Sequence, residues 1–252
     1  MNFSLRFLGT GAAEISTLGH SSAVIERDGE PLLLIDCGPD AVPRYMKIYQ
    51  QIPRAIYITH VHLDHVGGLE PLFSRLWFGE TRLPPPHLFA HASLIPLLQG
   101  RIADYPGVAA EGGSNFWDAF RLTPCSRGFW YQGLWFDVFA TRHHRPGTSY
   151  GVALRGSFTY TGDTRPIAET LAVVAEAGGP IAHDCSVTGN PSHTGLDDLE
   201  REYPANVRER LLLYHYGSVA DGDSMRASGY RVAHPGECVP LPPPRPLDSA
   251  TG

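Results

Sequence analysis

The segment His60-Val61-His62-Leu63-Asp64-His65 constrains this chain more than any other part of its sequence. Three imidazoles and a carboxylate fall within six residues, directly after the apolar stretch 55–58. These nitrogen and oxygen ligands suit zinc, manganese and iron. A single histidine most often has an ordinary structural role. Burying three histidines and an aspartate without a cation, however, would leave several polar groups unsatisfied. The segment therefore predicts a metal site at the end of a buried strand.

The remaining pattern predicts strands that alternate with helices, the order typical of an α/β fold. Polar residues at the carboxyl end of a buried strand lie at a sheet rim, where such folds place their chemistry. Strands are predicted at 3–8, 22–26, 32–36, 55–58, 134–140, 150–155, 157–160, near 181 and at 211–214, and helices at 41–50, 166–177 and 196–202. We expect one domain over residues 1–238, followed by a proline-rich extended tail at 239–252.

The segment 79–133 is rich in proline, glycine and aromatic residues. It is predicted to form loops, short helices and strand pairs that wall a substrate cleft. Aromatic side chains such as Trp117 or Trp130 could stack on a base there. The alternative for each single aromatic residue is ordinary core packing.

The charge distribution narrows the class of partner. The formal net charge is -6, and Lys47 is the only lysine. A protein that follows a long nucleic acid needs a basic stripe, which this sequence lacks, so no long nucleic acid is expected. A small anionic ester remains a possible substrate, because bound metal can supply local positive charge.

Two further features concern the compartment. No apolar run reaches the length of a membrane span, and the first residues do not resemble a signal peptide, so a cytoplasmic protein without a membrane partner is expected. The four cysteines lack CxxC spacing, which argues against a thiolate zinc site or a disulfide framework.

Other polar residues also follow predicted strands. Asp163 comes after the stretch 157–160 and a glycine, and His215 comes directly after 211–214. A glycine–aspartate pair alone is most often a turn. The pairs His183-Asp184 and Ser192-His193 are further candidates, although helix capping by Ser192 or Thr194 is an alternative of equal weight.

The stretch from Thr59 to Gly68 resembles the HxHxDH signature of the metallo-β-lactamase superfamily. Phe7-Leu8-Gly9-Thr10-Gly11 resembles the opening strand of its tRNase Z-like branch, and residues 160–164 resemble the segment that carries the metal-bridging aspartate. The resemblance covers most of the chain. It implies an α/β fold, a four-layer αββα sandwich, in a single domain.

The resemblance also implies a binuclear centre. One ion would be bound by His60, His62 and one histidine of the pair His143-His144, of which His143 is preferred for its spacing to 149–151. The other ion would be bound by Asp64, His65 and His215, with Asp163 bridging the two. Two divalent ions are expected, Zn²⁺ first, with Mn²⁺ or Fe²⁺ as alternatives.

The activity implied is hydrolysis of a phosphodiester by a metal-bridging hydroxide. Asp64, His193 and Asp184 are the catalytic residues on this view: Asp184 orients His193, which protonates the leaving oxygen. Asp184 and His193 match the family, whereas Asn190-Pro191-Ser192 departs from its glycine pattern.

The substrate implied is a small, nucleotide-like diester, with a cyclic nucleotide as the candidate, as in the tRNase Z-like phosphodiesterases. The basic arm with which tRNase Z enzymes grip tRNA is not evident in 79–133, so RNA 3′-processing is an alternative only. A lactonase or thioesterase acting on an acyl carbonyl is a second alternative, and a non-enzymatic binding protein a third. Relatives of this branch are commonly dimers, so a homodimer is expected.

Overall fold

Six strands from the first half of the chain and one from residues 238–241 build a seven-stranded mixed sheet. The computed structural model describes residues 1–13, 17–79, 83–104 and 115–246. Strands are numbered along the chain, and those of this sheet lie in the order β14-β1-β2-β3-β4-β5-β6. They are β1 Phe3–Gly9, β2 Ser22–Arg27, β3 Glu30–Ile35, β4 Ala55–Ile58, β5 His87–His91, β6 Arg121–Cys125 and β14 Cys238–Leu241. Strands β3 to β6 are parallel to one another.

The second half builds another seven-stranded sheet with the order β13-β12-β11-β10-β9-β8-β7. Here the strands β10 to β13 run parallel, whereas β7, β8 and β9 pair antiparallel. The strands are β7 Gly128–Tyr131, β8 Leu134–Ala140, β9 Tyr150–Leu154, β10 Phe158–Tyr160, β11 Ile181–Asp184, β12 Leu211–Tyr214 and β13 Arg231–Val232.

Helices connect the strands of both sheets. They are α1 Ala41–Tyr49, α2 Leu63–Val66, α3 Leu69–Phe78, α4 Ile95–Leu98, α5 Ala168–Val174, α6 Leu196–Glu202, α7 Ala205–Arg208 and α8 Val219–Ala227. Leu171 of α5, Leu199 of α6 and Met225 of α8 join one apolar cluster with residues of β11 and β12. The predicted α/β four-layer sandwich is confirmed.

The main core lies between the two sheets. Tyr57 of β4 stacks on Phe129 of β7 at 5.6 Å between ring centroids, and Phe7 of β1 lies 6.1 Å from Tyr214 of β12. Every residue of β4 and of β12 is buried, as expected for parallel strands covered on both faces. This core fixes the strand ends that carry the polar residues.

Several elements differ from the sequence prediction. In the segment 79–133, β5 and β6 extend the first sheet as parallel strands, a pairing that local pattern alone does not reveal. Residues 80–82 and 105–114 of that segment lie outside the described residues. Helix α5 is shorter than predicted, because the chain turns after Val174 towards Gly178 and Gly179, which both have positive φ.

Strand β14 spans the predicted start of the tail. Val239 pairs with Leu5 and Leu241 with Phe3, and Val239 and Leu241 are buried. Residues 247–252 of the tail lie outside the described residues. None of the helices in the described ranges is long and apolar enough to cross a bilayer.

Candidate metal centre

The candidate site lies where the parallel strands of both sheets end. His60 follows β4, Asp163 follows β10, Asp184 closes β11 and His215 follows β12. The carboxyl ends of parallel strands meet at one rim, so residues far apart in sequence converge there. Asp36, which follows β3, joins them.

The loop after β4 divides the histidine segment in two. His60 and His62 precede the single turn of α2, whereas Asp64 and His65 lie inside this turn. The change from extended to helical backbone separates the side chains of the two pairs. Gly68 then packs tightly: a Cβ at this position would lie 2.3 Å from the carbonyl oxygen of Gly38. Only glycine fits this close approach, which holds the turn against the first sheet.

The first donor group consists of His60, His62, His143 and Asp163, whose ligand atoms lie within 4.8 Å of one another. Nε2 of His143 is 3.2 Å from Nδ1 of His62. Oδ2 of Asp163 is 3.5 Å from Nε2 of His60 and 3.7 Å from Nε2 of His143. Three imidazoles and one carboxylate thus face a common point.

The second donor group consists of Asp64, His65, Asp163 and His215, again within 4.8 Å. Nε2 of His65 lies 3.4 Å from Oδ2 of Asp64 and 3.4 Å from Oδ1 of Asp163. Nε2 of His215 lies 3.3 Å from Oδ2 of Asp163. Asp163 belongs to both groups, so its carboxylate lies between them.

Outer hydrogen bonds set the orientation of the imidazoles. Nδ1 of His65 donates to Oδ2 of Asp36 at 2.7 Å, and Nδ1 of His143 donates to the carbonyl oxygen of Ser192 at 2.9 Å. Both acceptors require a proton on Nδ1, so each Nε2 presents a lone pair to the centre. Such outer partners are typical of metal-binding histidines.

Buried polar atoms at the centre lack protein partners. Within the described residues, Nε2 of His60, His65 and His215 and Oδ1 of Asp163 are inaccessible to solvent and accept or donate no hydrogen bond. Leaving such groups unpaired is costly. The donor set and its orphaned atoms therefore fit divalent cations.

The charges of the two groups also favour cations. Burial lowers the pKa of His60 well below its usual value and that of His62 to about 4, so both rings are neutral at neutral pH. Burial lowers the pKa of His215 as well, but Asp163, Asp184 and Asp64 outweigh it and raise the value to about 10. The raised pKa of His215 shows that the surrounding carboxylates give this side of the centre a negative potential, which stabilises a cation.

A third cluster adjoins the second group. Nδ1 of His193 lies 2.9 Å from Oδ2 of Asp184, which also accepts a hydrogen bond from the backbone N–H of Thr164 at 2.9 Å. Burial lowers the pKa of His193, whereas the hydrogen bond from its ring to Asp184 raises it. The pKa of His193 is left above its usual value. His193 is therefore placed to carry a proton beside the centre.

His144 lies outside both donor groups. Its ring packs against His62 at 4.9 Å between centroids, and Nδ1 is 3.1 Å from Oγ of Ser192. The backbone of His144 has φ of 53°, which turns this side chain away from the direction taken by His143. The structure thus brings His143, and not its neighbour, to the centre.

A cavity of about 610 Å³ opens onto the centre. Its lining residues are Ala12, Ala13, His62, Asp64, Asp163, Asn190, His193, His215 and Gly217. The expected base-stacking tryptophans are not among them. Trp117 packs on Phe116 and donates to Gln99, and Trp130 lines a separate cavity at the β7 edge. Trp130 lies on β7 and Trp117 in the short helical turn 116–119, so the suggestion that they stack a base is not supported at this cavity.

Asp36 is a site residue that the sequence prediction missed. Besides His65 it contacts Thr59, whose backbone N–H and hydroxyl both donate to its carboxylate. The available signal was its place at the end of a buried strand immediately before β4 in the sheet. Its hydrogen bonds to two residues of the histidine loop became visible only in the fold.

A sequence family matches almost the whole chain. The profile described as "Anti-Pycsar protein Apyc1" aligns with residues 3–239. The chain belongs to this Apyc1 family. The anti-Pycsar protein Apyc1 of Paenibacillus harenae is 31% identical over 242 residues, which cover 92% of this chain and 97% of that protein.

Solved structures agree on the fold. A diphosphatase of the PhnP family superposes with a TM-score of 0.72 at 18% identity, over 94% of this chain and 97% of that one. The metallo-β-lactamase-fold protein YhfI of Bacillus subtilis also gives 0.72, at 14% identity over 95% and 100%. These superpositions confirm the predicted metallo-β-lactamase fold.

Proposed function

We propose that this Apyc1-family chain is a binuclear metal-dependent phosphodiesterase that hydrolyses a small cyclic nucleotide. The observation that carries the proposal is the carboxylate of Asp163, shared by two donor groups at the base of one cavity. Two-metal sites of this kind are typical of enzymes that cleave phosphate esters.

The residues would divide as follows. His60, His62 and His143 would hold one divalent cation, Asp64, His65 and His215 the other, and Asp163 both. Zinc, manganese and iron all accept such ligands, with Zn²⁺ our first choice. When bound, the cations supply positive charge for the phosphoryl oxygens and lower the pKa of water.

The protein itself supplies the leaving-group proton on this proposal. His193 lines the cavity, and Asp184 holds its Nδ1. Nε2 of His193 has no hydrogen-bond partner among the described residues and can reach a ligand in the cavity. A cyclic phosphodiester that opens releases an alkoxide oxygen, which His193 would protonate as general acid. Asp184 then stabilises the protonated ring before it transfers its proton.

The size and charge of the site favour a small diester. A cavity of about 610 Å³ is in the range of ligand pockets for small molecules. The chain has a net charge of -6 and a single lysine, which disfavours a long polyanion. The family's description as anti-Pycsar proteins agrees with the resemblance to phosphodiesterases that degrade cyclic nucleotide signals.

The test is a hydrolysis screen with the purified, metal-loaded protein. Substrates are cyclic nucleotides, the chromogenic diester bis(p-nitrophenyl) phosphate, and a panel of lactones and thioesters. We expect turnover of the diesters, and its loss to background in Asp163→Ala and His60→Ala. Asp223→Ala, which changes a surface carboxylate paired with Arg226, is the control and should keep full turnover.

Two results would contradict the proposal. Full diester turnover by folded Asp163→Ala would show that the shared carboxylate is not needed. Faster turnover of lactones or thioesters than of any diester would instead favour an acyl hydrolase. Metal analysis of the same samples identifies the cation and its stoichiometry.

A further inference from the structure

A second cavity continues sideways from the metal centre. Its volume is about 350 Å³. It shares Ala12, Asn190, His193, His215 and Gly217 with the cavity that opens onto the donor groups, so the two spaces are contiguous. The residues that line it alone are Ser186, Val187, Thr188 and Asp221. A substrate held at the centre would therefore extend into this side cavity.

Asn190 presents a hydrogen-bond donor at the junction of the two cavities. Its Oδ1 accepts from the backbone N–H of Ser192 at 2.8 Å and from that of His193 at 3.0 Å. These two bonds fix which end of the amide is the oxygen. Nδ2 then faces away from the loop, and it has no hydrogen-bond partner within the part of the chain that the structure describes.

Asp221 presents a hydrogen-bond acceptor in the same cavity. It lies in the first turn of α8, where its backbone N–H donates to the hydroxyl of Ser218. Its Oδ2 lies 3.0 Å from the position that a Cβ on Gly217 would occupy, so the carboxylate packs over this glycine. In the described residues no cation or donor pairs with its side chain. The neighbouring Asp223, by contrast, pairs with Arg226.

The Asp221 carboxylate and the Asn190 amide determine which kind of ligand group the side cavity can bind. A carboxylate accepts from hydroxyl or amino groups and repels anions, while an amide nitrogen donates to a carbonyl or ring nitrogen. Neither side chain offers positive charge for a phosphate. The cavity therefore suits a neutral group that carries a donor and an acceptor close together, as ribose and nucleobases do.

We infer that the side cavity binds the nucleoside part of the substrate, with Asp221 accepting a hydrogen bond from it and Asn190 donating one to it. This inference rests on the proposed function, because it assumes a nucleotide whose phosphodiester lies at the donor groups. The donor to Asp221 is the ribose 2′-hydroxyl or an amino group of the base. A nucleotide with an additional phosphate on this side would be repelled by Asp221.

The test compares Asp221→Ala with wild type on two kinds of diester. For 3′,5′-cyclic nucleotides we expect kcat/KM to fall roughly tenfold, mainly through KM, because one charge-assisted hydrogen bond is lost. The fall should be clearly smaller for bis(p-nitrophenyl) phosphate, which has no nucleoside. Asp223→Ala on the same helix is the matched control. Asn190→Asp keeps the oxygen that holds the loop and removes the donor. Its added charge repels any anionic diester, so KM should rise for both substrates, and more for cyclic nucleotides because the donor is also lost.

Two further substrates identify the ligand group that donates to Asp221. If the ribose hydroxyl is the donor, wild type and Asp221→Ala should be equal on a 2′-deoxy cyclic nucleotide. If a base amino group is the donor, they should be equal on a cyclic nucleotide whose base lacks it. Asp221→Asn, which keeps the shape of the side chain, repeats the test should the alanine variant fold poorly.

The possible failures are distinct. Wild type that cleaves cyclic nucleotides, with Asp221→Ala and Asp221→Asn unchanged in KM, overturns the side-cavity inference alone. An equal loss on both kinds of diester also overturns it, since the effect is then on the centre. Wild type that cleaves only bis(p-nitrophenyl) phosphate overturns the proposed function and the inference together.

Discussion

Nδ1 of His193 lies 2.9 Å from Oδ2 of Asp184. The other oxygen of this carboxylate, Oδ1, lies 3.4 Å from Nδ1 of His215. Asp184 is fully buried, and its backbone position is set by the parallel pairing of β11 with β12. One carboxylate thus orients both the candidate general acid and a candidate metal ligand, which ties their geometries together.

The role of His193 as acid predicts a dependence on the leaving group. An alkoxide of ribose needs a proton, whereas p-nitrophenolate leaves without one. His193→Ala should therefore lower kcat on cyclic nucleotides by about 10² to 10⁴ and have a much smaller effect on bis(p-nitrophenyl) phosphate. Steady-state kinetics on both substrates measure this difference.

The effect on KM distinguishes the His193 variant from the Asp221 variant. Loss of the acid should lower kcat, while the loss of Asp221 should raise KM, so the two variants separate chemistry from nucleoside binding. An equal fall in kcat on both substrates would mean that His193 does not protonate the leaving oxygen.

Asp36 is not in either donor group, but it holds His65, so we expect its substitution to weaken metal binding. Its backbone has φ of 61°, a conformation that asparagine tolerates, so Asp36→Asn keeps the backbone but removes the charge behind His65 and one of the two acceptor oxygens. Metal affinity should fall about ten- to a hundredfold. Competition with a chromogenic chelator measures it. Asp28→Asn, at an exposed turn with φ of 54°, is the matched control, and an equal loss there would refute the role of Asp36.

The adjacent histidines predict opposite outcomes in metal analysis. His143 belongs to the first donor group, whereas His144 packs beside His62 without joining it. His143→Ala should lose bound metal, and His144→Ala should keep the wild-type stoichiometry. Elemental analysis after dialysis decides the matter. If His144→Ala lost its metal while His143→Ala kept the wild-type metal content, the assignment of the two histidines would be reversed.

Asp40 predicts a pH-dependent contribution to stability. Burial raises its pKa, but hydrogen bonds from His20 and Arg44 outweigh this and hold the pKa at about 2. Because this is below the unfolded value, the stabilisation is present above about pH 4 and is lost as the pH falls towards 2. With allowance for its partial exposure, Asp40→Asn should lower the free energy of unfolding by about 1–2 kcal/mol at pH 7.

Urea denaturation of the metal-free protein measures this contribution. The difference between wild type and Asp40→Asn should shrink between pH 5 and pH 3. Asp197→Asn, an exposed carboxylate of α6, should show little difference at any pH. A difference at Asp40 that stays constant as the pH falls would show that charge is not its source.

Several features of the fold could be predicted because their signal is local. The apolar run of β4 followed by His60, His62, Asp64 and His65 needs no distant partner to be recognised. Most strands of both sheets also follow from short patterns of buried residues, and the fold class follows from their order with the helices. The homodimer and the identity of the metal stay predictions.

What the tertiary structure alone decided depends on atoms that meet across long sequence separations. His143 and not His144 reaches the centre, because His144 itself has a left-handed backbone conformation that turns its side chain in another direction. Asp36 lies behind His65, and Asp221 lines the same cavity as Asn190, because elements from different parts of the chain meet at one rim. Such contacts depend on sheet register and on distances of a few ångströms. Sequence spacing sets neither, since both result from packing the whole core.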